Sequence, residues 1–281
     1  MNTTLVATGL LGDTVARDYS RKLSDFNSFA EPELRRLIAS LQLRPGMHAL
    51  DAGCGTGEAL EWLLEEVDPD GQVCGIDLSE PHVTVARSHS AARIRVLQGD
   101  LLHPPLEPNS FDLIWCVNTL HHLHDPVQGV RSLATLLHPG GRIAVGQSSL
   151  VPDMYFAWDA RLEQVTNEAV RRYYRERYNL DERSLTGVRA LVGVLRRSGL
   201  KHVHVQTIMI ERVSPVSAAD ETYLLETLFR NTWGERLRPY LSPDDYSQLL
   251  RLCDPRDPQF ALRRTDFHFL QSFTLCVGEI P

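Results

Sequence analysis

Apolar positions along the chain follow helical and strand periods in turn. From Glu31 the run EPELRRLIASL places Leu34, Leu37, Ile38 and Leu41 at i, i+3, i+4 and i+7, with Pro32 where a first helical turn tolerates it. RPG at 44–46 stops that helix. MHALDAG then predicts a short buried strand, and Leu60, Leu63, Leu64 and Val67 predict the core face of the helix behind it. PDG at 69–71 ends that helix, and QVCGID is the next strand, which completes a βαβ unit.

The alternation continues. Ser79 is placed as the N-cap of a second helix, IRVLQGD reads as a strand, and FDLIWCVN reads as a hydrophobic strand rich in sheet-favouring residues. A helix is expected from about Asp125 to Leu137, HPGGR breaks it, and RIAVGQS is a fifth strand. Strands alternating with helices in this way predict a doubly wound parallel α/β sheet.

After Leu150 the pattern changes. MYFAWDARLEQVTNEAVRRYYRERY predicts a helix carrying many aromatics, and SLTGVRALVGVLRRSG another that returns to the sheet. HVHVQTIMIERV alternates with period two at Val203, Val205, Ile208 and Ile210, allowing one irregularity, and FHFLQSFTLCVGEI is the last strand. The residues between these two strands read mostly helical, and an insertion of that length usually has its own task, such as a lid. The expected organisation is N-terminal helices over the site at 1–45, a core at 46–150, and the second half of the sheet at 151–281 with a helical lid at about 153–180 and 215–265.

Composition narrows the classes. The 281 residues are 43% hydrophobic and 23% charged, with a net charge of -7 and no block of Lys or Arg suited to a phosphate backbone. Nucleic acid is therefore excluded as the first partner. Cys54, Cys74, Cys116, Cys253 and Cys276 lie far apart with no metal-ligand spacing, as expected of buried thiols in a reducing compartment. No basic start followed by an apolar run and no membrane-length apolar stretch is present, so a soluble cytoplasmic protein is expected, without membrane partners, as monomer or homodimer.

The segment LDAGCGTGE at 50–58 sets three glycines at alternate positions between a strand and a helix. Backbone N–H groups and the helix dipole converge at such a turn. The spacing of Gly53, Gly55 and Gly57 fits the nicotinamide pattern poorly, because position 58 is Glu58, whose charge repels a pyrophosphate. Asp51, two residues before the turn, suits a cationic amino group instead. Asp77 closes the second strand, placed to accept ribose hydroxyls, and Asp100 closes the third, placed to accept an adenine amino group. With Asn118 after the fourth strand, they share the crevice at the carboxyl ends of a parallel sheet.

On LDAGCGTGE (50–58), GIDLS (75–79), QGDLLHPPLEPNSFDLIWCVNTLHHLHDP (98–126) and LLHPGGRIAV (136–145), the chain resembles the class I S-adenosylmethionine-dependent methyltransferases, in particular the small-molecule branch of quinone and natural-product enzymes. The resemblance runs from about Asp18 to Ile210. It implies a Rossmann-like, doubly wound seven-stranded sheet with an antiparallel last strand and helical lid insertions. It implies S-adenosylmethionine as cofactor and S-adenosylhomocysteine as product. The backbone at Gly53 and Gly55 would hold the methionine part, Asp77 and Leu78 the ribose and one adenine face, and Asp100 and Leu101 the adenine edge and its other face. Asn118 would meet the amino-acid portion through its backbone, and Tyr19 would close over the cofactor.

Methyl transfer asks for alignment, exclusion of water and, for some acceptors, removal of a proton. His121 and His122 lie at the mouth of the crevice as candidate bases, with a purely positional role as the other reading; His124 is a weaker candidate. His82, His89, His103 and His138 read as surface or turn residues, and no metal-ligand set stands out. Tyr155, Phe156, Trp158, Tyr173, Tyr174 and Tyr178, with Tyr223, Phe229 and Trp233, either line a pocket for an apolar or aromatic acceptor or form the lid's own core, and Arg171, Arg172, Arg175 and Arg177 form a solvated helix face or, as the other reading, meet an acidic acceptor. The function expected is methyl transfer to an O, N or C atom of a small lipophilic metabolite. The alternative is a methyltransferase-like protein that keeps the cofactor as structure while catalysing another reaction, such as a cyclisation. An oxidoreductase is disfavoured by the glycine spacing, and a nucleic-acid or protein methyltransferase by VNTL where an Asn/Asp-Pro-Pro-Tyr/Phe motif would stand.

Overall fold

Five strands in parallel register carry the first half of the fold. In the computed structural model, which describes residues 14–148, 154–156, 159–178 and 187–281, β1 (His48–Ala52) lies between β2 (Gln72–Asp77) and β4 (Phe111–Val117). Outward from these, β3 (Ile94–Gln98) pairs with β2 and β5 (Leu137–Ser148) with β4. Strand β8 (His268–Glu279) then runs antiparallel between β5 and β7 (Lys201–Val213). The order β3-β2-β1-β4-β5-β8-β7 gives the expected seven strands with the last one inserted antiparallel. A three-residue strand, β6 (Met154–Phe156), pairs with the start of β8 on the side where β5 pairs its end, which makes eight in all.

Local chemistry sets the helix starts. Ser79 caps α3 (Glu80–His89) through the His82 N–H, and Asp125 caps α4 (Pro126–Ala134) through the Gln128 N–H, each with a proline in the first turn. The fourth helix is shorter than expected, and HPGG lies inside β5, where it forms a register shift against β4. The first helix departs from the sequence reading. α1 (Ser20–Ser40) runs straight through Pro32 because its buried face is continuous, from Phe29 and Ala30 through Leu34, Leu37 and Ile38. Burial against α2 (Glu58–Val67) and the sheet outweighs the lost backbone bond.

The two faces of the sheet carry separate cores. One holds α1, α2 and most of the chain between β7 and β8, and the other α4 and α6 (Gly187–Arg197). The aromatic segment begins as β6 rather than as helix, and α5 (Ala160–Tyr178) follows. Between β7 and β8 the chain forms α7 (Ala218–Thr222), an eleven-residue π-helix at Tyr223–Trp233, α8 (Gly234–Leu237) and α9 (Pro243–Cys253). Thr232 Oγ1 donates to the Thr227 carbonyl five residues back at 2.7 Å, along the wider π turn.

A half-buried ion network ties α7 to α1. Arg212 on β7 bonds Glu33 of α1 at 3.1 Å and Asp220 of α7 at 3.0 Å, and its guanidinium lies 4.5 Å over the Phe29 ring. β7 shifts register between Lys201 and His204, while the break in its alternation, between Val205 and Ile208, leaves the pairing with β8 continuous. As an edge strand, β7 leaves Val205, Met209 and Val213 exposed.

Candidate functional site

The carboxyl ends of β1, β2 and β4, the loop after β3 and the start of α1 enclose a cavity of about 240 Å³. Its wall includes Tyr19, Asp51, Gly53, Gly55, Asp77 and Leu78, together with Asp100, Leu101 and Asn118. All nine positions proposed from sequence for the cofactor thus meet in one space.

The glycine turn is held by its own strands. The N–H groups of Gly53 and Cys54 donate to the Ile76 carbonyl at 2.7 and 3.0 Å, and the Gly55 N–H to Asp77 Oδ2 at 2.9 Å. These donors are used within the protein, so the turn does not offer the free N–H groups that its position before a helix suggests. Gly53 has φ +82°, and a Cβ there would lie 2.3 Å from Thr119 Oγ1; only glycine fits.

What the cavity presents instead is carboxylate. Asp51 is 3% exposed and its carboxylate has no hydrogen-bond partner among the described residues. Burial first, then the charges of Asp77 and Glu58, hold it well above the usual carboxylate range. A cation placed beside it would relieve all three. Asp77 is oriented by the N–H groups of Gly55 and Ser79, and Asp100 by the Leu102 N–H, so each keeps acceptor capacity toward the cavity. Asn118, at φ +50°, turns its side chain toward the end of β5, where Oδ1 accepts from Ser148 N at 2.8 Å.

A strap formed by residues 14–19 covers the opening. Val15 accepts from the Glu80 N–H, the Arg17 carbonyl from Ser79 Oγ, and Tyr19 donates its N–H to His82 Nε2 at 3.0 Å. Thr14, Arg17 and Tyr19 line the cavity from this strap. His82 is a correction to the sequence reading: it is 6% exposed, with Nδ1 3.4 Å from Asp77 Oδ1. Its partners come from elements distant in sequence, so no local pattern marked it. Phe26, Leu34, Trp62 and Trp115 form an apolar wall that was likewise legible only as core.

The two candidate bases differ in placement. His122 lines the cavity, with Nδ1 3.4 Å from Arg17 Nη1, and burial followed by the Arg17 charge lowers it to about 3. His121 does not line the cavity; its ring lies beside that of His122, 3.9 Å between centroids and tilted by 39°, and bonds Gln147 Oε1 at 2.9 Å. Burial, then His122, hold His121 well below 6.5. His124 is exposed at the cavity rim.

The lid aromatics pack on one another. Phe156 is 5.0 Å from both Trp233 and Phe269, Phe229 stacks on Trp233 at 5.4 Å, and Tyr223 on Phe29 at 4.2 Å. All are buried, and none lines the cavity. They are core, as one of the two readings had it, while the side chains of Tyr155 and Tyr178, and Trp158, lie outside the described residues.

This sheet order, with an antiparallel insertion and a carboxylate-lined crevice at its glycine turn, is similar to the fold of the S-adenosylmethionine-dependent methyltransferases, whose cofactor is S-adenosylmethionine. Residues 50–145 match the family described as the methyltransferase domain. The chain is 38% identical over 122 residues to the 27-O-demethylrifamycin SV methyltransferase of Amycolatopsis mediterranei, covering 42% of this chain and 44% of that one. It is 26% identical over 209 residues to the demethylmenaquinone methyltransferase of Lactiplantibacillus plantarum, covering 70% and 88%. The chain spans less than two thirds of the length of most curated relatives it matches. In fold it is similar to a Haloferax volcanii methyltransferase solved with the Trm112 methyltransferase activator, at a TM-score of 0.57, 20% identity and 93% coverage of each chain. No helix among the described residues is long and apolar enough to cross a membrane.

Proposed function

We propose that the protein transfers a methyl group from S-adenosylmethionine to an O, N or C atom of a small lipophilic or aromatic metabolite. The observation that carries this reading is the pairing of an unpartnered buried carboxylate, Asp51, with two strand-end carboxylates in one cavity that Phe26, Leu34, Trp62 and Trp115 also line. The cofactor, when bound, supplies an electrophilic methyl group on a sulfonium. Asp51 faces its ammonium, Asp77 its ribose hydroxyls and Asp100 its adenine amino group; Leu78 and Leu101 enclose the ring. Gly53, Gly55 and Asn118 line the amino-acid portion with backbone, and Tyr19 covers it from the strap.

The protein's remaining work is alignment, exclusion of water and proton removal. In this assignment His122, which lines the cavity with its Nδ1 facing Arg17, or His121 beside it takes the proton of the acceptor. The apolar wall of Phe26, Leu34, Trp62 and Trp115 favours a lipophilic acceptor. Residues 1–45 act as cover, 46–150 as cofactor core and 151–281 as the lidded half of the sheet. The curated relatives, which act on a demethylmenaquinone and a demethylrifamycin, support an acceptor of this kind.

Thermal unfolding with S-adenosylmethionine, S-adenosylhomocysteine or NAD tests the cofactor assignment. A ligand at a hundred times its Kd stabilises the native state by about 2.7 kcal/mol. The expected result is a shift with both adenosyl ligands, none with NAD, and a weakened shift in Asp77→Ala. A shift with NAD alone overturns the reading.

A further inference from the structure

The glycine turn is rich in acids and short of free donors. Asp77 and Glu58 lie near enough to Asp51 to act on its charge, and the N–H groups of Gly53, Cys54 and Gly55 are spent within the protein. Glu58 is itself fixed at the start of α2, accepting from Thr56 Oγ1 at 2.7 Å and from Asn27 Nδ2 at 2.8 Å. Such a setting draws in an ammonium and repels a carboxylate. The amino-acid end of the cofactor carries both groups on one carbon, so its carboxylate needs a cation elsewhere on the cavity wall.

Arg17 meets that need. Among the described residues that line the cavity it is the only lysine or arginine. Its backbone is tied beside the end of β2, where the Arg17 carbonyl accepts from Ser79 Oγ. Its guanidinium reaches the turn after β4, with Nη1 3.4 Å from His122 Nδ1. β1 lies between β2 and β4, and Asp51 and the glycine turn stand at its carboxyl end. The Arg17 side chain therefore crosses the crevice in front of β1, on the strap side of the cavity that Asp51, Gly53 and Asn118 also line. The Tyr19 ring supports it, 4.0 Å from the guanidinium carbon to the centroid. His122 is held neutral, first by burial and then by Arg17, so the positive charge at this point belongs to Arg17.

We propose that Arg17 binds the carboxylate of the cofactor's amino-acid end, across the cavity from Asp51, which takes the ammonium. The inference rests on the cofactor assignment above and adds a binding residue to it. A planar guanidinium suits a carboxylate, and the two ends of a zwitterion are then read by two separate parts of the fold, an acid on β1 and a base on the strap. Because Arg17 belongs to the strap, the segment that covers the opening also selects the ligand: an adenosyl thioether without the carboxylate forgoes this pair.

The test is calorimetric titration of the full chain with S-adenosylhomocysteine and with its decarboxylated counterpart, in which hydrogen replaces the carboxylate. The wild type is expected to bind S-adenosylhomocysteine roughly tenfold or more tightly, the worth of one charge-assisted pair. Arg17→Gln is expected to weaken S-adenosylhomocysteine by that factor and to leave the decarboxylated ligand unchanged, so that the preference disappears; Arg17→Lys keeps part of it. The strap's anchors at Val15, Arg17 and Tyr19 are backbone groups, which these substitutions leave in place. A preference that survives in Arg17→Gln, as it would if Arg17 served an anionic acceptor instead, overturns the proposal, and so does equal weakening of both ligands. If Arg17→Gln fails to fold, Arg17→Lys decides, by weakening S-adenosylhomocysteine more than the decarboxylated ligand. A wild type that binds both ligands alike overturns the proposal while the cofactor assignment stands; one that binds neither overturns both.

Discussion

Tyr19 and Asp77 are joined through one imidazole: the Tyr19 N–H meets His82 Nε2 at 3.0 Å, and His82 Nδ1 lies 3.4 Å from Asp77. The strap over the cavity and the carboxylate assigned to the ribose therefore share a support. Replacing His82 by Phe removes one hydrogen bond and is expected to weaken S-adenosylhomocysteine binding by about 1 kcal/mol, roughly fivefold. Calorimetric titration checks it, and faster amide exchange at Tyr19 is expected in the same variant.

Asp51 couples cofactor binding to protons. Its carboxyl is raised by burial, so a fraction is protonated in the empty site, and an incoming ammonium favours the ionised form. Binding of S-adenosylhomocysteine is expected to release protons, more as pH is lowered toward the raised value. Titration in buffers of different ionisation enthalpy measures the release, and Asp51→Asn abolishes it.

Two left-handed glycines separate backbone strain from crowding. Gly53 and Gly46 have φ of +82° and +87°, but a Cβ meets Thr119 at 2.3 Å in the first and nothing within 4 Å in the second. Gly46→Ala is expected to cost about 1 kcal/mol of stability with cofactor affinity unchanged. Gly53→Ala is expected to cost about 2 kcal/mol or more and to abolish S-adenosylhomocysteine binding, as denaturant and binding titrations would show.

The lid aromatics are stability residues on this geometry. Trp233→Ala opens a hole beside Phe156 and Phe229 and is expected to cost about 3–5 kcal/mol. Urea unfolding measures it. An aromatic acting mainly in acceptor binding would instead leave stability nearly unchanged.

Stability should also fall in mild acid. His122 at about 3 and His121 well below 6.5 refuse protons that the unfolded chain binds once pH drops below 6.5, so stability declines through that window, by up to about 1.4 kcal/mol per pH unit for each ring. Asp51 has the opposite sign, since above 3.8 the native state keeps a proton that the unfolded chain loses. The double variant His121→Gln, His122→Gln is expected to flatten the decline between about pH 7 and pH 5 in urea titrations.

The sequence revealed most where chemistry is local. Ser79 and Asp125 announced their helices through caps three residues from their partners, and Asp51, Asp77 and Asp100 announced the crevice because strand ends in a parallel sheet converge. It revealed least where the deciding partner is remote. His82 reads as a turn residue until Tyr19 and Asp77 are brought to it, and β6 is three residues long, too short for a period, with its partner in β8. Pro32 misled because a local preference was outweighed by burial of α1. The π-helix shares the apolar spacing of an ordinary helix, so nothing in Tyr223–Trp233 distinguished them.

The insertion of β8 has a consequence for synthesis. β5 ends at Ser148 and β7 at Val213, yet the strand that joins them begins only at His268. Until that segment leaves the ribosome, two long strand edges stand open, each a template for a stray strand. The slow step in making this protein is therefore expected to be the late threading of one strand between two that already wait for it, and aggregation should compete during that interval.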